Sequence, residues 1–293
     1  MNITAAQVNE LRKKTGAGMM DCKKALIEAE GDMGKAVEVL RKKGASVASK
    51  RAEKAANEGL VLTKVINDNK LGAIVEVNCE TDFVANSTDF TGFAGEVIDT
   101  VVSKKPATVE ELLKTDSIGE KLNEIVGKVG EKTEISRFKL EEATDGILVD
   151  YIHPGAKLGV LVKLDNVKEN NNGLSEFGKD IAMQVAAMNP LCVRREEVTK
   201  ETIDKEMEIY KAVAKKEGKP ENILDKIAQG KLNKFYQENC LLEQAFIKDN
   251  SKTIANLLKE FNSSNGMDIK IDKFYRFHLG DENKSSESGS GTD

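Results

Sequence analysis

Between Leu71 and Val101 the chain reads LGAIVEVNCETDFVANSTDFTGFAGEVIDTV, and two periodicities meet inside it. Ala73, Val75, Val77 and Cys79 alternate with other residues, the pattern of a strand burying one face. Phe90, Phe93, Ala94, Val97, Ile98 and Val101 recur at i, i+3, i+4, i+7, i+8 and i+11, the stripe of a helix. Between them, Glu80-Thr81-Asp82-Phe83-Val84 puts an acid and a large ring where the strand stops and the helix is about to begin. Phe83 belongs to neither pattern. A ring on a connecting segment is well placed to insert into another protein. The competing reading is that Phe83 folds back and plugs its own core, the commoner fate of an aromatic side chain.

Outward from this segment the grammar continues. Gly59–Ile66, a turn at Asp68-Asn69-Lys70 and Leu71–Cys79 predict a hairpin. Helices are expected at 88–104, at 108–114 behind the capping box Thr108–Glu111, and at 117–129. A second strand-rich block covers Glu134–Leu140, Gly146–His153 and Leu158–Leu164. A helix carrying Leu174, Phe177, Ile181 and Val185 follows, so both halves run strands, a polar turn, then a helix.

Upstream, residues 1–54 read as a small helical module. Thr4–Gln7 is a capping box, and Cys22, Ala25, Leu26 and Ala29 form one stripe. Asp32 caps a third helix carrying Met33, Ala36, Val37 and Leu40, and Gly44 is expected to stop it. Ser46 to Asn57 reads as a polar, basic helical linker. Downstream, 199–217 and 221–237 predict a projecting helical hairpin broken at Gly218-Lys219-Pro220, with a thin seam of Ile203, Met207, Tyr210, Val213, Leu224, Ile227 and Phe235. A helix with Ile254, Leu257, Leu258 and Phe261 and a strand over Met267–Leu279 finish the fold. The Ser, Gly and acid tail from Asp281 to Asp293 is expected to be disordered.

The chain has 293 residues, 40% hydrophobic and 32% charged, with a net charge of −5 and a pI near 5.5. An acidic chain of this kind is a poor match for a phosphate-tracking nucleic-acid binder. The longest apolar runs, such as Leu158 to Leu164, are too short to span a bilayer. The N-terminus has no basic flank or apolar core, so no signal peptide is read and a cytoplasmic address is expected. Cys22, Cys79, Cys192 and Cys240 lie far apart in sequence, without zinc or redox spacing, and read as reduced, mostly buried thiols. The sequons at Asn86, Asn262 and Asn283 carry no meaning in that compartment.

Covalent chemistry is hard to find. Thr15-Gly16-Ala17-Gly18 lacks a preceding strand and a Gly-Lys-Ser/Thr ending, so it reads as a bend between helices. The histidines are His153 and His278, and neither has a Cys or second His beside it in sequence. His153 opens a turn between strands, either a presented tip or a structural turn; His278 ends a strand and reads as solvated. Glu80 and Asp82 could suggest acid–base or metal work, but no histidine or third acid stands near them. Met19-Met20 cannot both face one small core, so they form either a sticky surface or a cap on their module. No cofactor is implied, and the inventory favours a protein acting by contact.

At these residues the chain resembles the bacterial elongation factor Ts family, guanine-nucleotide exchange factors of elongation factor Tu. The likeness covers Ile3 to about Gly280. It is carried by LRKKTGAGMMDCKKAL at 11–26, CETDFV at 79–84 and HPGAKLGVLV at 153–162, with Gly218-Lys-Pro220 and Lys273–Phe277 in support. The resemblance implies an α+β fold in five parts: a ubiquitin-associated-like three-helix domain with linker helix over 1–54, a core N-subdomain over 55–140, a core C-subdomain of 141–198 and 238–280, a coiled-coil hairpin over 199–237, and the tail 281–293. It implies that Thr81, Asp82, Phe83 and Val84 push into the GTPase and dislodge its Mg²⁺. By the same likeness Arg12, Met19 and Met20 grip a helix of that partner, and His153 and Gly155 sit near a second contact region.

Two features depart from the family pattern: only the acidic tail follows Gly280, and Lys157 stands where Arg is common. The family includes monomers and dimers, so a homodimer within a heterotetramer is one assembly the resemblance allows; direct nucleic-acid or membrane binding is not implied. The alternative is an interaction scaffold of the ubiquitin-associated type without exchange activity.

Overall fold

The computed structural model describes residues 3–167 and 172–281. The expectations for the tail beyond Asp281, and for Asn283, lie outside the described residues. Helix α1 (Ala5–Thr15) opens on its capping box: Gln7 N donates to Thr4 Oγ1 at 3.3 Å, and Thr4 N donates to Gln7 Oε1 at 3.0 Å. Gly16, at φ 68°, closes it in the left-handed conformation. Helix α2 (Met19–Glu28) buries Cys22, Ala25 and Leu26. Helix α3 (Met33–Arg51) starts where Asp32 accepts from Lys35 N at 2.9 Å. With Val8, Leu11, Ala29 and Ala36 these residues make one small core.

Gly44 does not stop α3, which runs on to Arg51. The residue serves a crossing instead. Gly44 is buried against helix α7 (Ile118–Val129). A Cβ there would lie 2.4 Å from the Asn123 carbonyl oxygen, and one on Gly127 would lie 2.8 Å from the Gly44 Cα. A helical glycine costs about 1 kcal/mol relative to alanine; here the backbone approach it permits joins the module to the core. The expected linker helix therefore ends at Arg51, short of Asn57.

The core is built from two antiparallel sheets. One contains β1 (Glu58–Ile66), β2 (Leu71–Cys79) and β3 (Thr133–Glu142), in that order. The other runs β4 (Gly146–Ile152), β5 (Leu158–Asp165) and β8 (Lys270–His278). The sheets face each other through Val61, Ile74, Leu148, Leu161 and Phe277. On the outside of the first sheet, Ala73, Val75 and Val77 meet Phe90, Phe93 and Val97 of α5 (Thr88–Lys104). Short α6 (Val109–Lys114) joins α5 to α7. On the outside of the second sheet, Val160 and Val162 meet Leu174, Phe177 and Ile181 of α8 (Asn172–Met188).

Strand β2 is buried along its whole length, so its polar residues need partners. Glu76 accepts from Arg137 Nε at 2.7 Å and from Asn78 Nδ2 at 3.2 Å, and Ser136 donates to Asn78 Oδ1 at 2.6 Å. The Arg137 guanidinium lies 4.2 Å from the Phe277 ring centroid, crossing to the second sheet.

Helices α9 (Lys200–Lys216) and α10 (Leu224–Asn239) form the hairpin. Ile203, Met207, Tyr210 and Phe235 pack in its seam as expected, together with Leu232 and Tyr236; Val213 is exposed, and Ala214 and Ala228 are buried. At its base the structure brings together thiols that spacing kept apart, with Cys192 Sγ donating to Cys240 Sγ at 3.7 Å. The pairing of β6 (Ala245–Phe246) with β7 (Asp249–Thr253) leads into α11 (Ile254–Asn265); neither strand is long or apolar enough to show a period.

Gly44→Leu is expected to destabilise the protein by about 1–3 kcal/mol, because the new side chain meets backbone it cannot displace. Ala45→Leu, at the exposed neighbouring position, is expected to leave the urea midpoint within error. Equal midpoints for the two variants would contradict the close crossing.

Candidate functional site

The segment 81–84 is not an open loop. Thr81 caps a four-residue helix, α4 (Asp82–Ala85), its Oγ1 accepting from Val84 N at 3.4 Å. Ala85 is buried and half-buried Val84 packs on the first sheet's core. That pair turns the opposite side of the helix outward. Phe83 is 85% exposed, so the ring does not plug its own core, and Asp82 is exposed beside it. The helix is too short for periodicity to reveal; the signal available in sequence was Thr81, a residue type favoured at helix N-caps, followed by an acid, Asp82, in the first turn.

The residues before the ring are tied down. Glu80 accepts from Arg51 Nη1 at 2.7 and 2.8 Å and from the Lys132 backbone N–H at 2.6 Å. The Lys132 N–H bond, with Arg51 assisting, holds the Glu80 carboxyl below its ordinary value. Thr81 donates twice to Glu131, from N at 3.0 Å and from Oγ1 at 2.8 Å. Cys79 donates from Sγ to Thr81 O at 3.2 Å, and burial pushes its thiol up to about 12. Glu80 thus faces a guanidinium and an amide while Asp82 faces solvent, so the two do not converge as an acid–base pair. Among the described residues no group of three or more His, Cys, Asp or Glu could hold a metal ion.

The other candidates lie on two further surfaces. His153 and Gly155 are exposed on the turn between β4 and β5, with Gly155 at φ 91°. Tyr151 Oη and His153 Nδ1 are 2.9 Å apart. The turn is fastened to β1, where Val61 N donates to Ala156 O at 2.7 Å and Lys157 Nζ reaches Glu58 at 2.6 Å. Glu58 pairs with Cys79 in the ladder, so this turn and the 81–84 segment stand at the same end of the sheet.

On the helical module Met19 is 47% and Met20 63% exposed, with Arg12 exposed on α1. Neither methionine caps the module's core. Ile27, one heptad on from Met20, is 56% exposed and extends the stripe; sequence reasoning missed it because it sits next to buried Leu26. Lys128 passes over Gly16 and pairs with Asp89 at the start of α5, and Arg51 reaches Glu80. The module is therefore fixed to the segment that carries Phe83.

A protein-family model described as Elongation factor TS matches residues 80–281. The elongation factor Ts of Clostridium perfringens is 48% identical over 284 residues, covering 95% of this chain and 93% of its own. Those of Prosthecochloris aestuarii and Chloroherpeton thalassium are each 44% identical, over 95% and 96% of this chain and 99% of theirs. Fold and sequence together define a translation elongation factor of mixed α+β architecture. The chain belongs to the elongation factor Ts family. No helix among the described residues is long and apolar enough to cross a membrane.

The environment of Glu80 makes a pH prediction. A carboxyl held below its ordinary value contributes stability above that value and loses it as pH falls through the lower, folded-state one. In a carboxyl-resolved NMR titration Glu80 is expected to protonate below its ordinary 4.5. Arg51→Ala is expected to raise that midpoint while leaving it under 4.5, because the Lys132 N–H, the larger cause, remains. Titration at or above 4.5 in the unmodified protein would contradict this geometry.

Proposed function

We propose that this chain promotes GDP release from elongation factor Tu by contact alone, with Phe83 and its neighbours Thr81, Asp82 and Val84 entering the GTPase and dislodging the partner's Mg²⁺. The observation that carries the reading is Phe83, 85% exposed on a segment otherwise fastened to its own subunit. An exposed phenyl group forfeits burial in the free protein, and a partner's apolar cleft restores it. Arg12, Met19, Met20 and the adjoining Ile27 grip one surface of the partner, and the turn at His153 and Gly155 meets a second.

Exchange breaks no covalent bond; it couples two binding equilibria. If the factor loosens GDP by some ratio, GDP loosens the factor by the same ratio, and GTP can then resolve the complex. A 10⁴-fold loosening takes about 5.5 kcal/mol of differential binding. Burying one Phe side chain supplies roughly 1.5–3 kcal/mol. Phe83 is therefore insufficient alone. The grips hold the ring in place, and departure of the Mg²⁺, a hard cation bound through oxygen ligands and substrate phosphates, accounts for the remainder.

Phe83→Ala is expected to slow stimulated release of a fluorescent GDP analogue by about ten- to a hundredfold, the equivalent of one lost Phe burial. Its melting temperature should stay unchanged, since the ring touches little of its own subunit. Wild-type release from this variant would refute the wedge. Met19→Ala combined with Met20→Ala is expected to weaken complex formation, read by calorimetry, with little change in the melting of the module. Intact binding with a lowered melting temperature would return these methionines to a structural role.

A further inference from the structure

The four-residue helix that carries Phe83 cannot hold itself. A single turn gains too few hydrogen bonds to offset the backbone order it requires. An exposed ring on such a turn would otherwise sample many directions. Something outside the turn fixes it, and the structure identifies what.

Residues 80 and 81 are clamped to residues 131 and 132, the short connection between α7 and β3. Glu80 accepts from Lys132 N at 2.6 Å, and Thr81 gives both its N–H and its hydroxyl proton to Glu131, at 3.0 and 2.8 Å. The second of these bonds has a directional consequence. A threonine hydroxyl has one proton to donate and lone pairs that accept. With the proton committed to Glu131 Oε1, a lone pair is left for the N–H of Val84, which Thr81 Oγ1 accepts at 3.4 Å. Glu131 thereby orients the cap, the cap closes the turn, and the turn aims Phe83. Glu131 and Thr81 are both half-buried, so water competes weakly for these bonds.

Resting on the exchange reading above, we propose that Glu131 is a positioning residue for nucleotide exchange, acting through Thr81 on the direction of Phe83. Glu131 lies 50 residues from Thr81 in sequence and outside the segment that enters the partner. Its effect is preorganisation: it limits the ordering that α4 would otherwise have to undergo as the ring enters, after the complex has formed. A residue of this kind alters the rate of GDP release from the formed complex more than the concentration at which the complex forms, because the methionine grip on the helical module is untouched.

The test is a double-mutant cycle on stimulated GDP release, using the full chain and intact elongation factor Tu. Glu131→Ala is expected to lower the saturating release rate about tenfold, the size associated with losing hydrogen bonds to a charged group. The half-saturating factor concentration should move by less than about twofold, within the scatter of independent sites. In the Phe83→Ala background, adding Glu131→Ala should slow release clearly less than it does with the ring present, since only the lesser contacts of Thr81, Asp82 and Val84 remain to be positioned. Equal slowing in both backgrounds overturns the proposal, as it would place Glu131 in general stability. A wild-type rate in Glu131→Ala overturns it too.

Glu131→Gln keeps one acceptor oxygen and the shape of the side chain. It is expected to release GDP at an intermediate rate, and it serves as the deciding variant if Glu131→Ala does not fold; a wild-type rate there likewise overturns the proposal. Wild-type release in Phe83→Ala would instead refute the exchange reading itself, so the two failures are distinguishable.

Discussion

The molecule depends on the double coverage of strand β2. One face packs on α5 and the other on the second sheet. Close packing on both sides removes water from the whole strand, which strengthens every polar contact that remains. It also makes the paired state of Glu76, Asn78 and Arg137 obligatory, because an unpaired buried charge would cost several kcal/mol. The strand is thereby a rigid rail, and its C-terminal end is where Glu80, Thr81 and Phe83 emerge.

That position explains how a small apolar element can stay exposed. Apolar groups held in water have to be kept from collapsing onto the protein's own surface. Here the solution is anchorage from several directions: the strand behind, Ala85 and Val84 beneath, Arg51 from the helical module, and the connection at 131–132 alongside. Met19, Met20 and Ile27 are held differently. They lie on a helix whose opposite face supplies the module's core, so amphipathicity alone keeps them outward. The close crossing at Gly44 and Gly127 then fixes this surface relative to the ring.

Much of the architecture was legible in the residues. The stripe Phe90–Val101, the capping box at Thr4, the N-cap at Thr108 and the hairpin over 59–79 are local patterns, and they form where the residues put them; the Glu111 side chain completes no box at Thr108, accepting from Ala107 N at 2.8 Å instead. The failures are informative for the same reason. Gly44 has the chemistry of a helix stop, yet a partner helix uses its missing side chain. Val213 fits the spacing of a seam, yet it stands in solvent while its neighbour Ala214 is buried. The Cys192 and Cys240 thiols meet because the two ends of a hairpin return to one base.

For the candidate site the division is sharper. The sequence by itself determined that a strand yields to a helix around Glu80 to Val84, and that Phe83 fits neither pattern. Periodicity acts over a few residues, and the chain's local geometry follows from it. Only the tertiary structure decided that the ring points into solvent, that Glu80 is occupied by Arg51 and Lys132, and that Glu131 holds Thr81. Those facts depend on which distant segments share a boundary. That is set by packing two sheets and their helices at once, a many-body outcome that no short stretch of residues encodes.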